Sequence, residues 1–307
     1  MILFTSNRPL DRAENLKTVF DTYQGEKEFA RTGDWRQSPD MSRFTLRVTD
    51  EYIQASPGKA VFVGHGFGAL KTGGVDQPRP YYSRKFAHLL TYIVTTSEEM
   101  IPIVAKQTGV AEEAILPLGM PRTDIYFQSK KGDGKTFLAN KRAYLYVPTW
   151  RAREETPLPH IDWEFIDRSL SDDEVFVVKQ HMITGNIPMK EYKHVIQVSP
   201  TEPSTPYLID ADVVITDYSS ILFDAQLLRK PVVLFEKIPG YLQTRGVYFN
   251  YPYDYASRFA RNENQLVEVM RTAYGQNRED LECIRRFASA CDGHSTERVL
   301  KLIGSLA

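Results

Sequence analysis

Residues 212–224 read Asp-Val-Val-Ile-Thr-Asp-Tyr-Ser-Ser-Ile-Leu-Phe-Asp. The run over residues 212–216 is short, apolar and rich in Val and Ile, which is typical of a parallel strand buried on both faces. A helix is predicted directly after it, over residues 219–228. A buried strand that leads at once into a helix is the repeating unit of α/β folds.

The same unit recurs along the whole chain. An amphipathic helix is predicted over residues 10–23, where Leu10, Leu16, Val19 and Tyr23 mark one face. Further short apolar runs predict strands at residues 2–5, 44–48, 60–64, 92–95, 115–118, 143–147, 174–178, 195–198 and 231–235. The predicted fold class is therefore α/β, with two Rossmann-like doubly wound domains that face each other across a cleft.

The stretch 129–135, which contains Gly, Lys and Asp, is the best linker candidate. We therefore expect an N-terminal domain over residues 1–134 and a C-terminal domain over residues 135–307, the latter closing with helices from residue 263 onward. One continuous α/β sheet is the alternative. In such folds ligands bind at the carboxyl ends of the strands, and with two domains also in the cleft between them.

Charge and cysteine content exclude several classes of protein. Of the 307 residues, Lys and Arg number 38 and Asp and Glu 39, so the basic excess of a nucleic-acid-binding protein is missing. Two cysteines, Cys283 and Cys291, cannot form a disulfide framework and fit a reducing compartment. The first residues become polar too soon for a signal peptide, and no apolar run approaches the roughly 18 residues of a membrane span. We expect a cytoplasmic protein that touches a membrane, if at all, from its inner surface.

Five polar clusters directly follow predicted strands, where an α/β fold places its site. The first cluster is Gly64-His65-Gly66-Phe67-Gly68-Ala-Leu-Lys71. The glycines leave the backbone around His65 bare, and an imidazole can accept a proton near neutral pH. The alternative is a loop histidine held by backbone groups.

The second and third clusters contain arginine. In Gly-Met-Pro-Arg122-Thr-Asp124, Arg122 could hold a phosphate in a bidentate fork, with Asp124 orienting it. Equally, the pair could cap the following helix and pin the two halves together. After residues 143–147 come Thr149, which could receive a base or a phosphate, and Arg151, which adds positive charge.

The fourth cluster places Lys179 and His181 after residues 174–178, and a cation beside an imidazole suits a pyrophosphate. A structural histidine at a strand end is the alternative. Downstream, Arg245 precedes a glycine in a loop, and the last helix opens with a capping pattern in which Ser295 or Asp292 is the expected cap.

The fifth and most specific cluster is the step Asp217-Tyr-Ser219-Ser220, with Asp224 on the helix that the serines open. Free N–H groups and the positive helix end make an anion site there, and the hydroxyls add donors. The alternative, that Ser219 is merely an N-cap, leaves the rest of the cluster unexplained.

In this order, the clusters resemble the CDP-glycerol glycerophosphotransferase family, whose enzymes prime and polymerise teichoic acids. The resemblance spans roughly residues 60–300. It rests on His65-Gly66 with Lys71, Gly119-x-Pro121-Arg122-x-Asp124, Pro148-Thr149-Trp150-Arg151, Lys179-x-His181, Thr216-Asp217-Tyr218-Ser219-Ser220 with Asp224, Arg245-Gly246-x-Tyr248 and Asp292-Gly293.

The resemblance implies a GT-B-like fold with the acceptor domain first and the CDP-donor domain second. It implies that His65 takes the proton from an acceptor hydroxyl, which attacks the β-phosphorus of CDP-glycerol and releases CMP. It further implies two catalytic residues, His65 and His181, and substrate contacts from Gly66, Phe67, Gly68, Lys71, Arg122, Thr149, Arg151, Lys179, Ser219, Ser220, Asp224 and Arg245. The expected partners are a CDP-linked alditol donor and a lipid-linked or polymer acceptor, with contact to a membrane surface where the acceptor is lipid-linked. No metal and no cofactor are expected.

Two loops depart from the family pattern. This chain reads His-Gly-Phe-Gly-Ala-Leu-Lys from His65 where the family usually has His-Gly-Thr-Pro-Leu-Lys, and Lys-Gln-His-Met from Lys179 where Lys-Pro-His-Pro is common. Glycerol as the transferred unit is thus less firmly implied than CDP-linked phosphotransfer itself. The alternatives are a UDP-sugar-dependent glycosyltransferase or epimerase, with Asp217 or Asp124 as the carboxylate near the sugar, and a binding protein without turnover.

Overall fold

The computed structural model describes residues 1–32, 41–51, 58–64, 66, 89–150, 159–237, 246–276 and 281–307. The chain divides into two compact units. The first unit comprises residues 1–128 together with residues 285–307, and the second comprises residues 129–284. Each unit is built around its own parallel sheet.

The first unit has a sheet with the strand order β2-β1-β3-β4-β5-β6. Its strands are β1 (Ile2–Ser6), β2 (Lys27–Arg31), β3 (Leu46–Thr49), β4 (Lys59–Phe62), β5 (Tyr92–Val94) and β6 (Ile115–Leu116). Its helices are α1 (Glu14–Thr22), α2 (Ile101–Thr108) and, from the end of the chain, Ser295–Leu306. Short 3-10 segments lie at Leu10–Arg12, Met41–Arg43, Glu98–Met100, Glu112–Ala114 and Pro121–Phe127.

The core of the first unit forms where two helices cover the sheet. Every residue of β1 is buried, as expected for a central parallel strand. Leu16 and Val19 of α1 pack with Phe4 of β1, and the rings of Phe4 and Phe20 meet edge to face at 5.1 Å. Ile303 of the terminal helix joins the same cluster.

The second unit has the strand order β12-β11-β10-β7-β8-β9. Its strands are β7 (Arg142–Tyr146), β8 (Glu174–Val178), β9 (Val195–Gln197), β10 (Val213–Thr216), β11 (Val232–Phe235) and β12 (Phe259–Ala260). Its helices are α3 (Thr136–Ala139), α4 (Trp163–Ser169), α5 (Thr205–Asp210), α6 (Ile221–Leu227) and α7 (Glu263–Ala273). Helix α8 (Leu281–Phe287) spans the division between the units, and the terminal helix Ser295–Leu306 is α9.

All the pairings between these strands are parallel, which confirms the predicted α/β class with two doubly wound sheets. The short apolar runs of the sequence correspond to strands within a few residues. Two strands were not predicted. β2 is a half-buried, charge-rich edge strand and β12 has two residues, so neither shows an apolar run.

The division of the chain differs from the expected one in two respects. The stretch 129–135 packs into the second unit: Gly132 N–H donates to Asp210 at 2.6 Å, and a Cβ on Gly134 would lie 2.1 Å from the Pro206 carbonyl oxygen. The terminal helix α9 was expected in the C-terminal domain. Its apolar face instead packs with α1 and β1 in the core of the first unit.

Candidate functional site

Three neighbouring strands of the second unit carry most of the predicted site residues that the structure describes. In the order β10-β7-β8, the carboxyl ends of these parallel strands lie side by side, about 4.8 Å from one strand to the next. Thr149 follows β7 in the middle, Lys179 and His181 follow β8 on one side, and residues 217–220 follow β10 on the other. The structure therefore brings four of the five groups expected to meet a pyrophosphate to one edge, whereas the fifth, Arg122, belongs to the first unit.

Asp217 ties two of these loops together. It is buried, and its Oδ1 accepts hydrogen bonds from the backbone N–H groups of Thr149 and Tyr218, both at 2.7 Å. Thr216 adds a bond from its hydroxyl to the Val147 carbonyl at 2.6 Å. The loops after β7 and β10 are thus held in a fixed relation by a carboxylate bonded to neutral amides.

A buried aromatic group supports the loop after β10. The Tyr218 hydroxyl donates to Glu236 at 2.7 Å, and its ring lies 5.3 Å from that of Tyr251. Burial first, and then the bond to Glu236, raises the pKa of Tyr218 above its usual value. Sequence reasoning missed Glu236 and Tyr251. Glu236 could have been found, because it directly follows strand β11 as the other site residues follow theirs.

The two serines offer hydroxyl groups at this edge. Both are half-buried, and Ser220, which stands at the start of α6, makes no side-chain cap bond. Ser219 accepts a bond of 3.4 Å from Ile221 N–H, so its O–H remains a donor. Asp224 lies buried in the first turn of α6. Because α6 spans seven residues, the hydroxyls rather than a long helix dipole would bind an anion here.

Lys179 and His181 lie in the loop after β8, on one side of the edge. Lys179 is buried, and its Nζ donates to the Pro200 carbonyl at 3.4 Å. His181 is exposed, and its Nδ1 accepts from Ile183 N–H at 3.1 Å. In the neutral imidazole that bond assigns the proton to Nε2, which becomes a donor for an incoming anion.

A pocket of about 290 Å³, including the space open to solvent, lies beside this edge within the second unit. It adjoins the loops after β7 and β8 and the start of α4. Its lining includes Tyr146, Pro148, Thr149, Trp163, Gln180 and Ile187.

In the first unit, Asn15 of α1 organises the loop after β4. Its side-chain amide donates to the carbonyl groups of Val63 at 3.3 Å and Gly64 at 3.1 Å. Its Oδ1 accepts from Arg122 N–H at 3.1 Å. Asn15, which sequence reasoning missed, therefore joins the loop that leads into residue 65 to the segment that carries Arg122. Gly66 of this loop is half-buried.

Arg122 and Asp124 have separate partners. The Arg122 guanidinium donates to the Tyr126 hydroxyl at 3.2 Å and lies 3.9 Å from Glu14. The Asp124 carboxylate instead accepts from the N–H groups of Ser295 at 3.0 Å and Thr296 at 2.7 Å, which begin α9. The expectation that Asp124 orients Arg122 was therefore wrong, and so was the expectation of a cap on α9 from Asp292 or Ser295.

A polar group that the sequence analysis did not recognise follows β3, next to β4 in the sheet. Asp50 is buried, with Arg8 at 3.5 Å. Burial, followed by the charge of Asp50, raises the pKa of Glu51. The signal was present, because Asp-Glu directly follows a strand, but the region before residue 60 matched no family pattern.

The remaining predicted site residues, His65, Phe67, Gly68, Lys71, Arg151 and Arg245, lie outside the described residues. Within the described ranges there is no group of three His, Cys, Asp or Glu residues that could hold a metal ion. No helix of the described part of the chain is long and apolar enough to cross a membrane.

Comparison with known proteins gives consistent results. A family model described as CDP-Glycerol:Poly(glycerophosphate) glycerophosphotransferase matches residues 40–305. The teichoic acid poly(ribitol-phosphate) polymerase of Bacillus spizizenii is 28% identical, over 78% of this chain and 42% of its own length. The teichoic acid glycerol-phosphate primase of Bacillus subtilis is also 28% identical, over 84% of this chain and 73% of its own length. The chain thus spans less than half of the first of these relatives.

A solved structure of the wall teichoic acid polymerase TagF superposes with a TM-score of 0.78 at 19% identity, covering 99% of this chain and 88% of that one. This likeness shows the fold, a two-domain α/β fold that matches the GT-B-like structure of TagF.

Proposed function

The chain belongs to the CDP-glycerol:poly(glycerophosphate) glycerophosphotransferase family, and from this premise we propose that it transfers an alditol phosphate from a CDP-linked donor to a hydroxyl of a lipid-linked or saccharide acceptor, releasing CMP. Glycerol phosphate is the first candidate for the transferred unit. The reaction would serve the synthesis of a teichoic acid or a related cell-surface polymer.

The observation that carries the proposal is the edge formed by β10, β7 and β8. Lys179 and His181 follow β8, and Ser219 and Ser220 follow β10, on the two sides of the loop after β7. They supply one ammonium, one imidazole N–H and two hydroxyl groups, which are donors that a pyrophosphate can accept. Asp217, in the loop after β10, accepts two backbone N–H groups and so positions the loops after β7 and β10.

These residues suit the charge changes of phosphoryl transfer. The acceptor oxygen attacks the β-phosphorus, and the bond from that phosphorus to the bridging oxygen breaks. CMP leaves with the electron pair on its phosphate oxygen. Lys179 and His181 would stabilise this developing charge from fixed positions, which is electrostatic preorganisation. The family pattern assigns the proton of the acceptor hydroxyl to His65.

The first unit is the proposed acceptor domain. Asn15 fixes the backbone on the amino side of residue 65, where Gly64 has a φ of +68° that favours glycine. Arg122, bonded to the same Asn15, offers a cation in this unit. The buried Asp50 and its neighbour Glu51 follow the adjacent strand and suit a polyol, whose hydroxyls donate to carboxylates.

The UDP-sugar alternative has less support. It needs a carboxylate near the sugar ring, and the two candidates, Asp217 and Asp124, both accept backbone N–H bonds that hold loops or cap a helix. The proposed location is the cytoplasm, where a lipid-linked acceptor would require contact with the inner face of the membrane.

The test is an assay of released nucleotide with CDP-glycerol, CDP-ribitol and UDP-N-acetylglucosamine, each with and without a lipid-linked disaccharide acceptor. CMP release from one CDP donor in the presence of acceptor is the expected result and names the transferred unit. UDP release would instead support the glycosyltransferase or epimerase.

His65→Ala should lower CMP release by about 10²-fold or more and leave CDP binding unchanged, because a general base acts on the acceptor. His294→Ala is the matched control, since its imidazole is largely exposed and makes no side-chain cap bond. Equal losses of binding and turnover in His65→Ala would contradict the assigned role.

A further inference from the structure

The loop after β9 contacts the lysine that is proposed to meet the donor pyrophosphate. Strand β9 pairs with β8, and the bond from Val198 N–H to the Val178 carbonyl, at 3.0 Å, extends this pairing up to the residue before Lys179. The Lys179 ammonium then donates to the Pro200 carbonyl at 3.4 Å. The conformation of the loop after β9 therefore bears directly on where this ammonium lies.

Glu202 anchors the loop on both sides of this contact. Its backbone N–H donates to the Ser199 carbonyl at 3.3 Å, which closes a turn around Pro200. Its carboxylate Oε2 accepts from Lys135 Nζ at 2.5 Å and from the Tyr207 hydroxyl at 2.8 Å. The turn that presents the Pro200 carbonyl is thus tied at Glu202 to two side chains outside it.

Both partners of Glu202 are themselves held in place by α5. Tyr207 is a buried residue of that helix. Lys135 Nζ lies 4.9 Å from the centre of the Tyr207 ring, a cation–π contact. The residue before it, Gly134, passes so close to α5 that a Cβ there would lie 2.1 Å from the Pro206 carbonyl oxygen. Glu202 therefore joins the loop to a fixed part of the second unit.

The charges of this group leave the lysine cationic. Hydrogen bonds from Lys135 and then from Tyr207 lower the pKa of Glu202, and the charge of Lys179 lowers it further. The carboxylate is therefore ionised at neutral pH and lies within electrostatic range of both ammonium groups. With two ammonium groups and one carboxylate, the group keeps a net positive charge beside the proposed pyrophosphate site.

We propose that Glu202 is a positioning residue, which holds the Pro200 carbonyl where it orients the Lys179 ammonium towards the donor pyrophosphate. A lysine carries its charge on a flexible four-carbon stem, so the groups that accept from the ammonium help to set its position. An ammonium placed beforehand stabilises the charge that develops on CMP without reorganisation during the reaction. This inference rests on the proposed function, because it takes Lys179 to bind the donor.

The experiment is a steady-state assay of CMP release with Glu202→Ala and Glu202→Gln. We expect kcat/KM for the CDP donor to fall about 10-fold in Glu202→Ala, part of the 10²- to 10³-fold effect of a group that stabilises developing charge. Glu202→Gln retains an oxygen that accepts from Lys135 and Tyr207, so it should recover most of this loss. Glu164→Ala is the matched control, because it breaks an exposed pair with Lys190 in the same unit and should keep the full rate. Each variant should keep its thermal midpoint within a few degrees, since such ion pairs contribute about 1 kcal/mol or less.

A double-mutant cycle separates positioning from a general effect on the fold. If Glu202 acts through Lys179, adding Glu202→Ala to Lys179→Met should lower CMP release no further. Losses that multiply, an equal loss in Glu202→Gln and Glu202→Ala, or a rate in Glu202→Ala equal to that of Glu164→Ala would each overturn the role of Glu202 while leaving the transferase intact. Failure of the unchanged protein to release CMP from any CDP donor would overturn both proposals.

Discussion

The buried carboxylates at the two edges of the sheet in the second unit have different partners. At the amino edge, Glu174 at the start of β8 accepts from Arg271 Nη2 at 2.6 Å and from the Tyr144 hydroxyl at 2.7 Å. Asp212, just before β10, pairs with Lys131 at 2.7 Å and accepts from Ala143 N–H at 2.8 Å. Each carboxylate there meets a cation.

At the carboxyl edge, where Lys237 pairs with Glu263 after β11, the loops after β10 and β8 also use neutral partners. The Asp217 carboxylate bonds to two neutral N–H groups, and Lys179 donates to a carbonyl. A carboxylate paired with a cation cancels its charge and stabilises the fold. Lys179 donates to a neutral carbonyl, and its positive charge is among the causes that lower the pKa of Glu202, after the hydrogen bonds from Lys135 and Tyr207. The same sheet thus separates stability at one edge from binding at the other.

The largest expected effect tests the binding edge. Lys179→Met keeps the aliphatic stem and removes the charge, so CMP release should fall by about 10²- to 10³-fold, the usual cost of one group that stabilises developing charge. The thermal midpoint should remain within a few degrees. Lys190→Met is the control, because Lys190 is an exposed lysine of the same unit, paired with Glu164 at 2.8 Å. A loss of less than about threefold would place the pyrophosphate elsewhere.

The next effect tests the stabilising edge. Although burial opposes ionisation, hydrogen bonds from Arg271, Ser171 and Tyr144 lower the pKa of Glu174 from 4.5 to about 2. A carboxyl whose pKa is lowered on folding contributes stability above its unfolded pKa, and that stability is lost as pH falls from about 4.5 towards 2. The contribution is about 3 kcal/mol at neutral pH.

Glu174→Gln should therefore lower the free energy of unfolding at pH 7 by about this amount and flatten its dependence on pH below 5. Urea unfolding at several pH values, with hydrogen exchange of the amides in β7 and β8 as the probe, measures the free energy of unfolding and its dependence on pH. Asp173→Asn, at an exposed carboxylate 3.6 Å from Arg142, should change little. An unchanged pH dependence in Glu174→Gln would show that the stabilisation at this edge is not electrostatic.

The sequence predicts the binding edge better than it predicts the supporting contacts, for a physical reason. Lys179, His181 and the two serines could be found because parallel strands bring every residue that follows them to one edge, and strands are visible as apolar runs. The strand β2 could not be found from the sequence, because its residues Lys27–Arg31 form a half-buried edge strand without an apolar run.

Long-range partners are hidden from the same reasoning. The bond from Ser295 to Asp124 spans 171 positions, so no local pattern distinguishes a remote cap from an arginine partner. Gln180, a polar residue between two predicted ligand residues, is buried, which its local sequence does not indicate. Contacts set by tertiary packing require the structure.

The smallest expected effect extends the comparison to the first unit, where Asp124 stabilises and Arg122 is the proposed ligand residue. Asp124→Ala removes the carboxylate that accepts both N–H groups at the start of α9, so the unit should lose about 1–2 kcal/mol, as for an N-cap. Hydrogen exchange of residues 295–306 should accelerate, while CMP release below the melting temperature stays within about twofold. Asp124→Asn retains one acceptor oxygen and should show about half the loss. The Arg122 guanidinium bonds Tyr126 rather than Asp124. If Asp124→Ala lowered turnover as much as Arg122→Ala does, the aspartate would act through the arginine. Stability and binding would then not be separated in this unit.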